Sequence, residues 1–267
     1  MWMLLAWAVM LPLGWALAGA PVQPDLPDAA WLPEGADRVW HAVGVRVPVA
    51  MGGLVAAGLL GAIVAVGRSR VAATHVSTVA HEFGHALVAA LFGARVTGIA
   101  LRWDGSGTAH YTMVGSRPLL RGMVSLSGYL APGVLAVACA RAASAGAGPV
   151  WLAFLCVVVA VMLPLAIRTW WGVVMALGLV GAGLGVLQWA PPAAATLLVA
   201  GLAGLLAGGG LVDARTQWRA RRLEPHSDAA SLAGQTGLPV GFFAGFHVLA
   251  SAGLAAAAAA AVFLVGR

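Results

Sequence analysis

The chain has 267 residues, of which 61% are apolar and only 9% charged, with 15 basic against 9 acidic side chains and a net charge of +6. Soluble domains carry about 25% charged residues, so the composition excludes an ordinary soluble enzyme and points to a chain that lives in a bilayer. The basic residues are all Arg and sit at the ends of apolar runs, as the positive-inside rule places them, so the charge does not indicate a nucleic-acid partner.

Residues 1–20 are uniformly apolar. No basic residue precedes the run, so an uncleaved membrane helix is expected there, in preference to a secretory signal ending at Ala18-Gly19-Ala20. Residues 21–47 hold Asp25, Asp28, Glu34 and Asp37 together with Trp31 and Trp40, the pattern of an external loop with interfacial tryptophans. Pro48 to Gly67 reads as a spanning segment whose end is marked as cytoplasmic by Arg68 and Arg70.

The apolar run from Val71 to Gly93 contains Thr78-Val79-Ala80-His81-Glu82-Phe83-Gly84-His85-Ala86-Leu87. Its His-Glu-x-x-His pattern puts two imidazoles at i and i+4 on one helix face, where both can reach a single ion, with Glu82 bordering that face as a general base toward a metal-held water. Seven His and three Glu in a chain of this length predict about 0.002 such patterns by chance. Two imidazoles and a carboxylate are also costly to keep in lipid, which makes function the default reading of their presence. His81 stands roughly 16 Å along a helix from Arg70, below the membrane surface and nearer the cytoplasmic side.

After Gly93 the pattern turns β-rich. Val96 to Trp103 and Thr108 to Val114 flank Asp104-Gly105-Ser106-Gly107, which predicts a hairpin. Its edge would suit an extended peptide added as a further strand. Four more apolar segments follow near 119–141, 149–167, 169–188 and 193–211, with Arg117, Arg121 and Arg168 at cytoplasmic ends. Gly181/Gly185 and Gly204/Gly208 are helix-packing pairs. Asp213 to Gly237 reads as a polar cytoplasmic loop carrying Arg215, Arg219, Arg221 and Arg222, and a last apolar segment runs from Leu238 to Val265. Cys139 and Cys156 lie inside apolar segments and are assigned to packing. The expected fold is an all-α polytopic membrane protein with about six to eight transmembrane or membrane-embedded helices, one β-hairpin after the metal-binding helix, and a single membrane domain over 1–267.

A catalytic zinc takes three protein ligands and keeps a fourth position for water. The downstream acids able to supply the third are Asp228, Asp213 and Glu224, in that order of preference; Asp104 sits in a turn sequence where Asp is common for local reasons. Asp228 opens what looks like a short helix with Ser227 as N-cap, a place where an acid also suits the helix dipole.

The chain resembles the site-2 protease family of intramembrane zinc metalloproteases, in its compact bacterial branch without a PDZ domain. The residues that carry the resemblance are His81-Glu82-Phe83-Gly84-His85 with Leu91-Phe92-Gly93-Ala94-Arg95-Val96, the hairpin, Ser125-Leu126-Ser127-Gly128-Tyr129-Leu130-Ala131-Pro132, and Ser227-Asp228-Ala229-Ala230-Ser231-Leu232-Ala233 followed by Thr236-Gly237-Leu238-Pro239. It covers about residues 71–250. The resemblance implies Zn2+ held by His81, His85 and Asp228, with Glu82 as catalytic base. It departs from the family in having Asp228-Ala229 where Asp-Gly is usual, and in lacking any Asn.

The function expected is a zinc-dependent endopeptidase acting on transmembrane segments of membrane proteins, multi-pass in the cell membrane, with the lipid bilayer as its other partner. The departures motivate a competing reading, a protease-like scaffold or metal-binding regulator without turnover. A metal transporter would need ligands on several helices, and the segments after residue 119 hold almost no acids. His110, His226 and His247 are candidate oxyanion stabilisers, each with a plainer reading as an interfacial or packed histidine.

Overall fold

A computed structural model describes residues 39, 46–67, 70–115, 118–224 and 227–264. The expected helix over 1–20, nearly all of the loop that follows it, and Arg68, Arg117 and His226 lie outside the described residues. Within them the order is α1 (Met51–Val66), α2 (Arg70–Leu91), β1 (Arg95–Leu101), β2 (Gly107–Thr112), α3 (Pro118–Ser144), α4 (Gly148–Leu165), α5 (Trp170–Trp189), α6 (Pro192–Ala220), α7 (Asp228–Thr236) and α8 (Val240–Leu264).

Five of these helices, α3, α4, α5, α6 and α8, are long and apolar enough to cross a membrane. The expected polytopic helical protein with one hairpin is therefore the observed architecture. The span expected over 48–67 is shorter than predicted: α1 has 16 residues, about 24 Å at 1.5 Å per residue against a hydrocarbon core of about 30 Å. Leu59, Leu60, Ile63 and Val66 on α1, Leu177 on α5 and Leu249 on α8 are exposed, an apolar outer face of the kind lipid covers.

Helices associate in lipid through close backbone approach, because apolar side chains gain little there from leaving an apolar solvent. The contact of α1 with α6 shows this directly. A Cβ on Gly61 or Gly204 would run into the carbonyl groups of Gly201 and Gly58, so two glycine pairs let the helices touch backbone to backbone. Helix α3 is the hub and packs against α2, α6 and α8. Its Ala136, Ala138, Cys139, Ala140 and Ala143 are buried with Trp151, Leu152, Val199 and Leu206. Trp151 donates its Nε1–H to Cys139 Sγ at 3.2 Å, in keeping with a packing role for that cysteine.

The hairpin forms close to where the sequence places it, antiparallel with Ile99 opposite Ala109 and an irregularity between Val96 and Gly98. Gly105 takes φ 86° in the turn, where Asp104 Oδ1 accepts from the Ser106 N–H at 2.9 Å and its hydroxyl at 2.7 Å. These bonds hold the Asp104 carboxyl below its ordinary range and confirm it as a turn residue.

The two edges of the hairpin differ. On the β1 side, Ile99 N–H donates to Ala166 O at 2.7 Å and Ile99 O accepts from Arg168 N–H at 3.0 Å. Thr169 Oγ1 meanwhile bridges the Leu101 N–H and C=O. The α4–α5 connection thus covers that edge. On the other side β2 pairs with no further strand among the described residues. Because Ile99 turns its polar groups away from β2, the facing Ala109 turns its own outward along the free edge.

One sequence boundary is corrected. The polar loop expected from Asp213 onward is helical to Ala220, while α7 at Asp228–Thr236 is the short helix expected to open at Asp228. Polarity there marks where α6 leaves the apolar layer and does not mark where its backbone hydrogen bonding stops. The short helix is capped as expected: Ser227 Oγ accepts from Ala230 N–H at 3.3 Å, and Gly237 closes it at φ 75°.

Candidate metal centre

Helix α2 supplies Ser77, His81 and His85 on one face by their four-residue spacing, and α3 crosses that face. The crossing depends on two glycines. A Cβ at Gly84 would stand 2.5 Å from Ala131 Cβ and 2.9 Å from Ser127 O, so its absence lets α2 and α3 close together. A Cβ at Gly128 would collide with the His85 ring and stand 2.8 Å from His81 Nε2. The space that residue 128 leaves open is the space the imidazoles fill.

Helix α7 brings Asp228 to the same point. His81 Nε2 and His85 Nε2 are 3.0 Å apart, Asp228 Oδ2 is 3.1 Å from His85 Nε2, and it is 3.2 Å from His81 Nε2. Three donor atoms converging from two helices is unusual for hydrogen bonding alone, since at most one proton can lie between any two of them. Tetrahedral coordination with bonds of about 2.0–2.1 Å separates its donors by roughly 3.3 Å. The observed triangle is of that size, and the group can hold a metal ion.

Two further features fit that use. The carbonyl oxygen of Val124 on α3 accepts from His85 Nδ1–H at 2.7 Å. With the proton on Nδ1, the Nε2 lone pair is left facing the other two donors, the arrangement by which a backbone carbonyl fixes a ligand tautomer. Asp228, the first residue of α7, brings a carboxylate oxygen to both rings. The site therefore offers two imidazole nitrogens and one carboxylate oxygen to a cation. A Gly128→Ala protein is expected to bind Zn2+ at least about 10-fold more weakly than the parent, the lower end of what displacing a ligand's supports costs. Competition with a chromophoric chelator measures this, and parental affinity would show that the rings are not held by that gap.

Glu82, 6% exposed, lies beside the triangle without belonging to it. Its side chain packs on the free-edge strand, where a Cβ at Gly107 would stand 2.7 Å from Glu82 Cγ and 3.0 Å from Glu82 Oε1. The Ala109 N–H hydrogen bonds its carboxylate. The hairpin is pinned along the same helix, with Thr78 Oγ1 donating to Gly105 O at 2.7 Å.

The structure thus brings together His81, His85 and Asp228, with Glu82 at their side. Asp213, the second candidate for the third ligand, is engaged elsewhere: one of its oxygens accepts from Ser77 Oγ at 2.7 Å, one turn of α2 before His81. Glu224 is exposed beyond the end of α6, and His110 is exposed on β2. His247 is near but screened, stacked on Tyr129 at a centroid distance of 4.1 Å. Sequence reasoning did not find Gly128, Val124 or the Tyr129–His247 stack. Of these only Gly128 had a visible signal, a glycine inside Ser-Leu-Ser-Gly-Tyr at the start of an apolar helix.

The family model described as Peptidase M50B-like matches residues 46–258. No curated protein and no solved structure matches the chain at a significant level.

Proposed function

From the premise that the chain belongs to the Peptidase M50B-like group of the site-2 protease family, we propose that it is a zinc-dependent intramembrane endopeptidase with His81, His85 and Asp228 as metal ligands and Glu82 as catalytic base. The observation that carries the reading is the convergence of three donor atoms within 3.2 Å of one another, with a buried carboxylate on the adjacent residue of the same helix. When bound, a zinc ion supplies Lewis acidity, acidifying water and polarising a carbonyl oxygen.

The chain's own residues do the rest. Glu82 accepts the proton of the attacking water as the new C–O bond forms, and delivers it to the departing amine nitrogen as the C–N bond breaks. The free edge of β2 holds the substrate extended through its outward backbone groups, the Ala109 C=O among them, so that the scissile peptide lies beside Glu82, which takes the Ala109 N–H. The close packing of Glu82 on Gly107 supports this placement, since edge and base are already in contact. His85 is held for its task by Val124 O.

The site belongs to the cytoplasmic half of a multi-pass protein in the cell membrane. Asp213, one turn from His81 through Ser77, stands about 10 Å from the Ala220 end of α6 at 1.5 Å per residue. That end carries Arg215, Arg219, Arg221 and Arg222, the residues that the positive-inside rule assigns to the cytoplasm.

Purified full-length protein in detergent is expected to contain about one zinc per chain and to cleave a membrane-anchored reporter bearing a transmembrane segment. Stripping the metal with 1,10-phenanthroline should stop cleavage, and adding Zn2+ should restore it. Cleavage at an undiminished rate by stripped protein would overturn the metalloprotease reading; a metal-loaded protein that cleaves no such reporter would favour the scaffold.

A further inference from the structure

The residue between the candidate centre and the rest of the bundle is Tyr129. It is 2% exposed and is among the largest fully buried side chains of the described residues. It lies on α3 one position after Gly128, whose missing side chain makes room for the imidazoles. Its ring meets the His81 ring edge to face at 6.0 Å. Its other face stacks on His247 of α8 at 4.1 Å and 18°. His247, also 2% exposed, is tied through Nδ1 to Gln217 Oε1 of α6 at 3.2 Å. Tyr129 also packs with Ala229 in the first turn of α7, and its buried hydroxyl has no hydrogen-bond partner among the described residues.

One side chain therefore touches His81 and the turn that carries Asp228, two residues brought together from over 140 positions apart. Behind it, α6 and α8 hold the phenol from the far side. The oxygen is too deeply buried to reach a substrate.

We propose that Tyr129 is a positioning residue for the metal centre, its ring fixing the plane of the His81 imidazole while packing against the turn that carries Asp228, and that His247 and Gln217 hold it in that pose. The inference rests on the reading of His81, His85 and Asp228 as metal ligands. It extends to this site the general behaviour of metal centres, in which groups behind the ligands set affinity nearly as strongly as the ligands themselves.

The test uses full-length protein loaded with Co2+, whose visible absorption reports ligand geometry. Tyr129→Phe keeps the ring and removes only the unpartnered oxygen; it is expected to keep the parental Co2+ affinity and visible bands. Tyr129→Leu removes the ring and should weaken Co2+ binding about 10-fold and shift the visible bands. His247→Ala, which withdraws the stacking partner, should move the bands in the same sense. Parental affinity and spectrum in Tyr129→Leu would overturn the positioning role, and weakened binding in Tyr129→Phe would overturn its assignment to the ring. A lower thermal midpoint with unchanged bands would reduce Tyr129 to packing. Parent protein that binds no Co2+ would instead take down the metal-site reading on which the inference stands.

Discussion

Glu82→Gln protein should bind zinc with parental stoichiometry and cleave a membrane-anchored reporter at least about 1000-fold more slowly, within the range by which positioned acid–base groups accelerate proton transfer. The substitution is close to isosteric. The amide oxygen can still accept from Ala109 N–H, and the side chain still fits against Gly107, where a Cβ would have met the glutamate at 2.7 Å. What is lost is the ability to take a proton from water. Metal should stay because the three converging atoms belong to His81, His85 and Asp228, and Glu82 is not among them. Elemental analysis of the purified variant alongside a reporter assay separates the two properties. Turnover within about 10-fold of the parent would remove Glu82 from the reaction, and loss of zinc would make it a ligand.

The second large effect concerns the third ligand. Asp228→Ala should abolish both stable zinc binding and cleavage, because it takes away one of three donors and the only anion of the triangle. Asp213→Ala is the paired comparison. It should keep its zinc and cut the reporter within about 10-fold of the parent rate, while losing about 1–2 kcal/mol of stability because the buried Ser77 hydroxyl loses its acceptor. Zinc content after dialysis against a chelator decides the matter: if Asp213→Ala loses the metal and Asp228→Ala retains it, the two aspartates must exchange roles.

These two aspartates also show where the sequence stopped being informative. His81, Glu82 and His85 are legible because helix geometry alone carries them: a spacing of four residues fixes a face without knowledge of any partner. The hairpin is equally local, written in β-rich runs around Asp104-Gly105-Ser106-Gly107, and so is the Ser227 cap that announces α7. Choosing between Asp213 and Asp228 is a different problem, because it depends on how α6 and α7 lie against α2. The one local hint was Ser77, four residues before His81 and hence on its face, where it captures Asp213 one turn short of the imidazoles. The extension of α6 to Ala220 was hidden for a related reason. Charged residues end an apolar stretch without ending a helix, since Arg and Gln are good helix formers. Val124 could not be foreseen at all, because what it contributes is a backbone carbonyl, and any residue type would supply the same atom.

The glycines at 107 and 128 carry a consequence for how substitutions in this chain would be tolerated. Neither has a side chain that could take part in chemistry, yet each marks a volume already occupied, by Glu82 in one case and by His81 and His85 in the other. Sensitivity to change is therefore displaced from the reacting groups to positions facing them. Adding a single methyl group at either glycine would act like altering the base or the imidazoles themselves. Gly93, Gly178 and Gly234, with open space where a Cβ would stand, would not show that sensitivity for reasons of room. Among the described residues the centre is thus bounded as much by two moulded gaps as by the atoms that fill them.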